Sequence, residues 1–222
     1  MCRTPKAFSL IELLVVIGII GIMLAILMPA LHRVRQQAVI LQCASNMRQI
    51  HQALEMYLVD SKGVLFWHGQ DINTEGMDWY CYGGRESGNT DKIQEDLFNR
   101  IVPRPLNKYV GNKIEIFRCP DDNQPWPWTE DSCCPEFEWV GNSYNFNAVG
   151  FPTKPTPRKG GLSGINVGQV GNSSMTICFY EACMVYEFAW HGRKRGNFCM
   201  LDGHVEFIEM PPQGGQYDWR DQ

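Results

Sequence analysis

Residues 13–31 read LLVVIGIIGIMLAILMPAL, a run of nineteen residues without a formal charge. As an α-helix rising about 1.5 Å per residue, this run covers roughly the hydrocarbon thickness of a bilayer. A secretory signal peptide has a similar apolar run, but it needs small residues at a cleavage site after that run. Here Met28 occupies the first of those positions. The sequence therefore predicts a retained membrane anchor.

The helical pattern continues beyond the apolar run. Apolar residues recur, mostly at steps of three and four, at Val34, Ala38, Leu41, Met47, Ile50, Leu54 and Leu58. We therefore predict one helix of about fifty residues, bent at Pro29. Its first half is apolar on all sides, and its second half is amphipathic.

Glu12 stands at the start of the apolar run. On insertion scales an acidic residue at the centre of a membrane helix costs about 2.5–3.5 kcal/mol, and less toward the interface. Such a residue needs a partner or a function, or it marks the membrane boundary. The residues alone leave both interpretations open.

The rest of the chain is typical of a folded domain. The 222 residues have 20% charged side chains, 44% hydrophobic side chains and a net charge of −4, which excludes a disordered chain and a strongly basic nucleic-acid binder. Strand-forming residues fill 174–180, 185–190, 197–201 and 204–208. Asp202-Gly203 between the last two runs predicts a hairpin with a two-residue type I′ turn. We predict an α+β head whose antiparallel sheet packs on the amphipathic half of the helix.

The segment KAFSLIELLVVIGIIGIMLAILMPAL resembles the N-terminus of type IV pilins and pseudopilins. The resemblance implies that a prepilin peptidase cuts between Ala7 and Phe8, where the family usually has Gly before the cut. It also implies that Phe8 becomes N-methylated, that Glu12 pairs with a neighbouring subunit during assembly, and that Pro29 is the family's mid-helix proline. The implied function is structural, in a type II secretion or type IV pilus-like system.

The resemblance also implies how the chain is organised and where it resides. The expected parts are a leader at 1–7, a transmembrane assembly helix at 8–31, its amphipathic continuation at 32–60, and a globular head at 61–222 that contains the hairpin at 197–208. The helix would lie in the bacterial inner membrane as a single span, with the head in the periplasm or on a pilus-like filament. The expected partners are prepilin peptidase and other pilin subunits, with no nucleic acid.

A second resemblance concerns the end of the chain. HGRKRGNFCMLDGHVEF is similar to the C-terminal motif of bacterial pilin-like proteins in which nine residues separate a His from Asp-Gly. Here ten residues lie between His191 and Asp202-Gly203. CASNMRQIHQALEMYLVDSKG, FRCPDD and NSYNFN resemble further landmarks of the same group.

The cysteines suggest an oxidising compartment. There are nine, and removal of a leader that contains Cys2 leaves eight. An even number suits a disulfide framework, although eight cysteines allow 105 connectivities and buried free thiols are the alternative.

Other chemistry has weaker support in the sequence. His191, Asp202 and His204 suggest a hydrolase or metal site, but turn chemistry at Asp202 and hydrogen bonding of His191 to loop backbone explain them better, and no catalytic or metal-binding motif accompanies them. We expect no enzymatic activity and no cofactor, with calcium at Asp121-Asp122 or at Asp218 and Asp221 as the alternative. A second hypothesis for function is a membrane-anchored periplasmic module that binds carbohydrate or another envelope ligand through its tryptophans, namely Trp67, Trp79, Trp126, Trp128 and Trp139.

Overall fold

A computed structural model describes most of the chain. The described residues are 10–66, 78–86, 103–111, 113–123, 135–148, 161–185, 190–192, 194–212 and 216–219. They form two compact units, residues 1–38 and residues 39–222, which are treated separately below. The helices are α1 (Leu10–Asp60), α2 (Asp78–Cys81), α3 (Asn107–Val110) and α4 (Glu136–Val140), and the strands are β1 (Tyr144–Phe146), β2 (Ile177–Glu181), β3 (Arg195–Met200) and β4 (Val205–Glu209). Short 3₁₀ turns cover Ile114–Phe117, Val167–Gln169 and Ala182–Val185.

The first unit contains the N-terminal half of α1. Helix α1 has 51 residues, which confirms the predicted long helix, and Pro29 lies inside it. Every described residue up to Ala38 is exposed. An 18-residue window of α1 has a mean hydropathy of 3.0, and none of that window is buried. By length and composition, α1 can cross a membrane.

The C-terminal half of α1 belongs to the second unit and buries one face. That face includes Cys43, Met47, Ile50, Leu54 and Leu58. Met47, Ile50 and Leu54 are each 0% exposed. Their spacing of three and four residues produces this stripe because α-helices have 3.6 residues per turn.

Part of the predicted apolar face of α1 is wrong. Val34 is 64% exposed and Leu41 is 66% exposed, and Ala38 is exposed as well. Val34 and Leu41 differ by seven positions, so their side chains lie on the same side of the helix. Leu41 and Met47 differ by six positions, which places their side chains about 120° apart around the helix axis. The buried stripe therefore begins at Cys43.

The sheet supplies the other side of the main core. Its order is β1-β2-β3-β4, and every neighbouring pair is antiparallel. Phe146, Phe179 and Cys199 belong to the same buried cluster as Met47 and Ile50 of α1. On the other face of the sheet, a second cluster contains Tyr180, Phe198 and Trp219. This arrangement confirms the predicted α+β fold with an antiparallel C-terminal sheet.

The β3–β4 hairpin is present, but the predicted type I′ turn is wrong. Among Leu201, Asp202 and Gly203, only Gly203 has a positive φ, at +91°. The Gly203 N–H donates to Met200 O at 2.9 Å, and the Met200 N–H donates to His204 O at 2.9 Å. The connection is thus a three-residue loop that ends in a glycine bulge. A type I′ turn would need a positive φ at Asp202 also.

Local structure differs from the sequence expectations at two other places. Residues 182–185 form a 3₁₀ turn at the start of the strand predicted for 185–190, and residues 186–189 lie outside the described part. Strand β1 arises within NSYNFN, where no strand was predicted. Its pairing with β2 supplies partners that the local sequence does not reveal.

Candidate functional site

The N-terminal candidate residues lie in or next to α1. Ala7 and Phe8 lie outside the described residues. Glu12 occupies the first turn of α1, where a carboxylate suits the positive end of the helix dipole, and its side chain is exposed. The roles of Ala7, Phe8, Glu12 and Pro29 stay predictions.

His191, from the C-terminal motif, lies in a buried polar cluster. Its side chain is 1% exposed. The Nε2 atom lies 3.3 Å from Glu181 Oε1 and 3.4 Å from Cys119 Sγ. The Nδ1 atom lies 3.4 Å from Asp121 Oδ2. The ring is therefore held between two carboxylates and a thiol.

Cys43 completes this cluster from α1. Its Sγ lies 2.9 Å from Cys119 Sγ, and both cysteines are 0% exposed. The ligand atoms of Cys43, Cys119 and His191 all lie within 4.8 Å of one another. Sequence reasoning missed this grouping, because Cys43 and Cys119 are 76 residues apart and Cys119 and His191 are 72 residues apart. The segments CASNMRQIHQALEMYLVDSKG, FRCPDD and HGRKRGNFCMLDGHVEF each contained one member, but linear spacing did not show that they meet.

The cluster favours a thiolate beside an imidazolium. The hydrogen bond from the Cys119 thiol lowers the pKa of Cys43 to about 7, against the raising effect of burial. Burial raises the pKa of Cys119 well above its ordinary value, and the neighbouring Cys43 adds to this. Burial lowers the pKa of His191, but its hydrogen bonds to Cys43 and Glu181 outweigh burial and raise that pKa to about 10. Cys43 therefore loses its proton first, and His191 keeps its own at neutral pH.

A thiol that contacts an imidazole, which in turn contacts a carboxylate, is also the arrangement found in nucleophilic catalytic sites. A substrate would have to reach the sulfur, however, and neither sulfur is exposed. Two cavities, of about 650 Å³ and 450 Å³, lie among the described residues. Neither is lined by Cys43, Cys119 or His191. The geometry thus favours a structural role for the cluster over catalysis on a bound substrate.

Asp202 and Gly203 make a different set of contacts. The Asp202 carboxylate accepts a hydrogen bond from the His204 N–H at 3.1 Å, and one of its oxygens lies 2.6 Å from His204 Nδ1. Burial would raise the pKa of Asp202, but these hydrogen bonds lower it. A Cβ on Gly203 would lie 2.7 Å from His51 Nδ1 of α1, so a larger residue does not fit there. The ring of His51 is fixed by a contact of 2.9 Å between Nε2 and Leu201 O.

The two halves of the C-terminal motif therefore contact α1 at different levels. His191 lies at the cluster of Cys43, and Gly203 packs against His51. Eight residues of α-helix separate these levels by about 12 Å. The structure does not bring His191 and Asp202 together, and the geometry does not favour the hydrolase hypothesis.

The candidate calcium ligands have other contacts where they are described. Asp122 is buried and accepts hydrogen bonds from the Glu136 N–H, the Phe137 N–H and Ser143 Oγ at 2.7–2.9 Å. Its carboxylate anchors the start of α4. Asp221 lies outside the described residues, and calcium at Asp218 with Asp221 stays a prediction.

The tryptophans of the alternative hypothesis are only partly described. Trp139 is half-buried and packs against a small cluster of Tyr80, Val140 and Ala182. The other four tryptophan side chains, at positions 67, 79, 126 and 128, lie outside the description. The structure thus offers no defined sugar-binding face among the residues it describes.

The comparisons with known proteins bear on the N-terminal segment. A family model described as Prokaryotic N-terminal methylation motif matches residues 2–28. The matched segment contains Ala7, Phe8 and Glu12. The curated proteins and the solved structures gave no match. The chain thus has a prokaryotic N-terminal methylation motif of the prepilin type, and the apolar half of α1 that overlaps this motif suits a single membrane span.

Proposed function

We propose that this protein is a structural pilin-like or pseudopilin subunit of a type II secretion or type IV pilus-like system. Prepilin peptidase cuts it between Ala7 and Phe8, and the new N-terminus of Phe8 is methylated. The apolar half of α1 holds it in the bacterial inner membrane, and the head lies in the periplasm. Subunits then assemble through α1.

The observation that carries this proposal is the exposure of the apolar half of α1. Leu13, Ile17 and Leu24 are 56%, 56% and 49% exposed, and they represent a surface that is apolar all round. Each apolar Å² left in water costs roughly 25 cal/mol, so this surface requires lipid or the helices of other subunits. A pilin-like assembly supplies both in turn, because its subunits leave the bilayer and pack helix against helix.

Glu12 fits the same proposal. A carboxylate at the edge of an apolar helix is costly in lipid unless an opposite charge accompanies it. The amine of a processed Phe8 on a neighbouring subunit is such a charge. Pairing at this point favours one register between adjacent helices.

Processing is tested by the intact mass of the full chain extracted from membranes of cells with an active prepilin peptidase. We expect a chain that begins at Phe8 and carries one additional methyl group. Ala7→Gly should be processed at least as fast as wild type, and Ala7→Asp should block processing. A wild-type chain that still begins at Met1 in these cells would contradict the proposal.

Assembly is tested with two differently tagged copies of the chain, extracted together and purified through one tag. Glu12→Gln removes the charge at nearly constant size, and we expect recovery of the second copy to fall at least tenfold. Glu55→Gln is the matched control, because Glu55 lies on the same helix with a side chain that is 59% exposed. Equal recovery for both variants would overturn the role of Glu12.

The identity of the machine follows from the genes next to this one, since a secretion ATPase and a platform protein accompany such subunits. The alternative, a ligand-binding module, stays a prediction that no contact of the described residues favours.

A further inference from the structure

The two sulfurs of Cys43 and Cys119 are closer than a non-bonded contact. Their separation is 2.9 Å, whereas heavy atoms that only touch lie at about 3.5–4.0 Å. A disulfide bond is about 2.05 Å long, so a movement of less than 1 Å closes one. A tetrahedral zinc ion with bonds of about 2.3 Å would instead hold two sulfurs roughly 3.8 Å apart. The observed separation lies about midway between these two values, but a structural zinc site takes four ligands and the described group of Cys43, Cys119 and His191 offers three.

The charges around the pair also favour a disulfide. His191 lies between the carboxylates of Glu181 and Asp121, and the Glu181 side chain is 2% exposed. Glu181 also accepts a hydrogen bond from Asn197 Nδ2 at 2.7 Å. An imidazolium at His191 balances Glu181 without any metal. Two thiolates and a zinc ion are neutral together, but His191 would lose its proton as a ligand and leave the buried Glu181 carboxylate without its counter-charge, which is unfavourable.

We propose that Cys43 and Cys119 form a disulfide that ties the second half of α1 to the turn after residues 114–117. The inference rests on the proposed export of the head, because disulfides persist in oxidising compartments. One specific pair among the cysteines is thereby assigned, and its role is structural. The bond closes a covalent loop between the helix through which subunits assemble and the head that this helix carries.

The reaction is thiol–disulfide exchange with an exported disulfide oxidant. The Cys43 thiolate attacks one sulfur of the oxidant's disulfide, and a mixed disulfide forms as the other sulfur leaves. Cys119 then attacks Cys43 Sγ and releases the oxidant. Two S–H bonds are exchanged for one S–S bond in this protein, and both electrons and both protons end on the oxidant's two thiols. Because both cysteines are buried in the folded head, exchange takes place while the head is open during folding.

His191 contacts the pair in the folded head, where its Nε2 lies 3.4 Å from Cys119 Sγ. Cys199 provides the contrast. It is also 0% exposed, but its Sγ lies 3.5 Å from Met200 O, and burial raises the pKa of its thiol. Cys199 is therefore a suitable control for the loss of a buried sulfur.

The bond is tested first by non-reducing peptide mapping of the full chain extracted from membranes, with free thiols alkylated under denaturing conditions beforehand. Cleavage before Asp121 separates Cys119 from Cys133 and Cys134, so the linkage can be assigned. We expect a Cys43–Cys119 linked peptide that is two hydrogens lighter than the two thiol peptides. Alkylated Cys43 and Cys119 would overturn the proposal, and so would one equivalent of zinc bound with both thiols free.

The second test is the thermal unfolding of the head with and without a reductant. Closing a 76-residue loop stabilises mainly by restricting the unfolded chain, so we expect reduction to lower the Tm of wild type by about 10 °C. The variant C43A/C119A should show no such redox shift, and C199A should keep it. A shift that persists in C43A/C119A would show that another pair is responsible. If this variant fails to fold, the peptide map of wild type still decides the matter.

The N-terminal mass of the same sample separates the two proposals. A chain that begins at Met1 contradicts the proposed processing. A chain that begins at Phe8 with both thiols free contradicts only the disulfide.

Discussion

The two halves of helix α1 both contain many apolar residues, but their surroundings are opposite. From Leu10 to Ala38 every side chain is exposed, whereas nine residues from Cys43 to Leu58 are buried. Ile22 and Leu54 illustrate the difference, since Ile22 is 66% exposed and Leu54 is 0% exposed. One helix thus contains a segment that the head covers and a segment that requires lipid or the helices of other subunits to cover it. The N-terminal half is apolar on all sides, whereas the C-terminal half also has a polar side, and this difference in pattern accompanies the difference in burial.

The largest effect is expected for a core residue of the second half. Leu54→Ala should destabilise the head by about 3–4 kcal/mol, because the site loses a buried side chain and leaves a cavity. Leu41→Ala on the same helix should change stability by less than about 0.5 kcal/mol, since Leu41 is 66% exposed. Urea unfolding followed by tryptophan fluorescence measures both. Equal effects would mean that the head does not cover this half of the helix as described.

A slightly smaller effect should appear in membrane insertion. Ile22→Lys introduces a charge near the centre of the apolar run and should cost about 3 kcal/mol, or roughly a hundredfold in the insertion equilibrium. Leu41→Lys is the control, because Ile22 and Leu41 have the same exposure of 66%. The measurement is the fraction of chain that stays in the membrane after extraction at high pH. If the two lysines behave alike, residues 13–31 do not reside in lipid.

The smallest effect concerns the buried cluster that holds the second half of α1. In the reduced protein His191→Gln removes an imidazolium from beside Glu181, and we expect a loss of about 2 kcal/mol near pH 6.5. The folded pKa of His191 is raised to about 10 from an ordinary 6.5. Its stabilisation is therefore complete below pH 6.5 and disappears as the pH rises toward 10.

Wild type and His191→Gln should accordingly converge in stability between pH 6.5 and pH 10. Urea unfolding in the presence of a reductant measures this difference at several pH values. A difference that stays constant over this range would show that His191 contributes by packing and not by charge.

Much of the fold could be predicted from the sequence because its signals are local. The length of α1 followed from continuous apolar periodicity, and the β3–β4 hairpin followed from Asp202-Gly203 between two apolar runs. The turn type could not be predicted, since a glycine with a positive φ suits a three-residue loop with a bulge as well as a type I′ turn. Strand β1 could not be predicted either, because a three-residue strand exists only through its pairing with β2.

The candidate functional residues also differ in whether the sequence reveals them. The prepilin-type segment is contiguous, so its residues could be read directly, and the match to residues 2–28 agrees with them. The cluster of Cys43, Cys119 and His191 joins three distant segments, and the local sequence of each segment does not show that it meets the other two. A cysteine in a helix and a cysteine before a proline could each have been a packing residue.

By itself, the sequence determined that residues 13–31 form a long apolar helix, that the helix continues as an amphipathic segment, and that an antiparallel hairpin lies at 197–208. These properties depend on side-chain periodicity and turn residues within short distances along the chain. Only the tertiary structure decided which face of α1 is buried, where His191 resides, and that Cys43 meets Cys119. Those are consequences of long-range packing, in which residues more than seventy positions apart share one buried environment and change one another's chemistry.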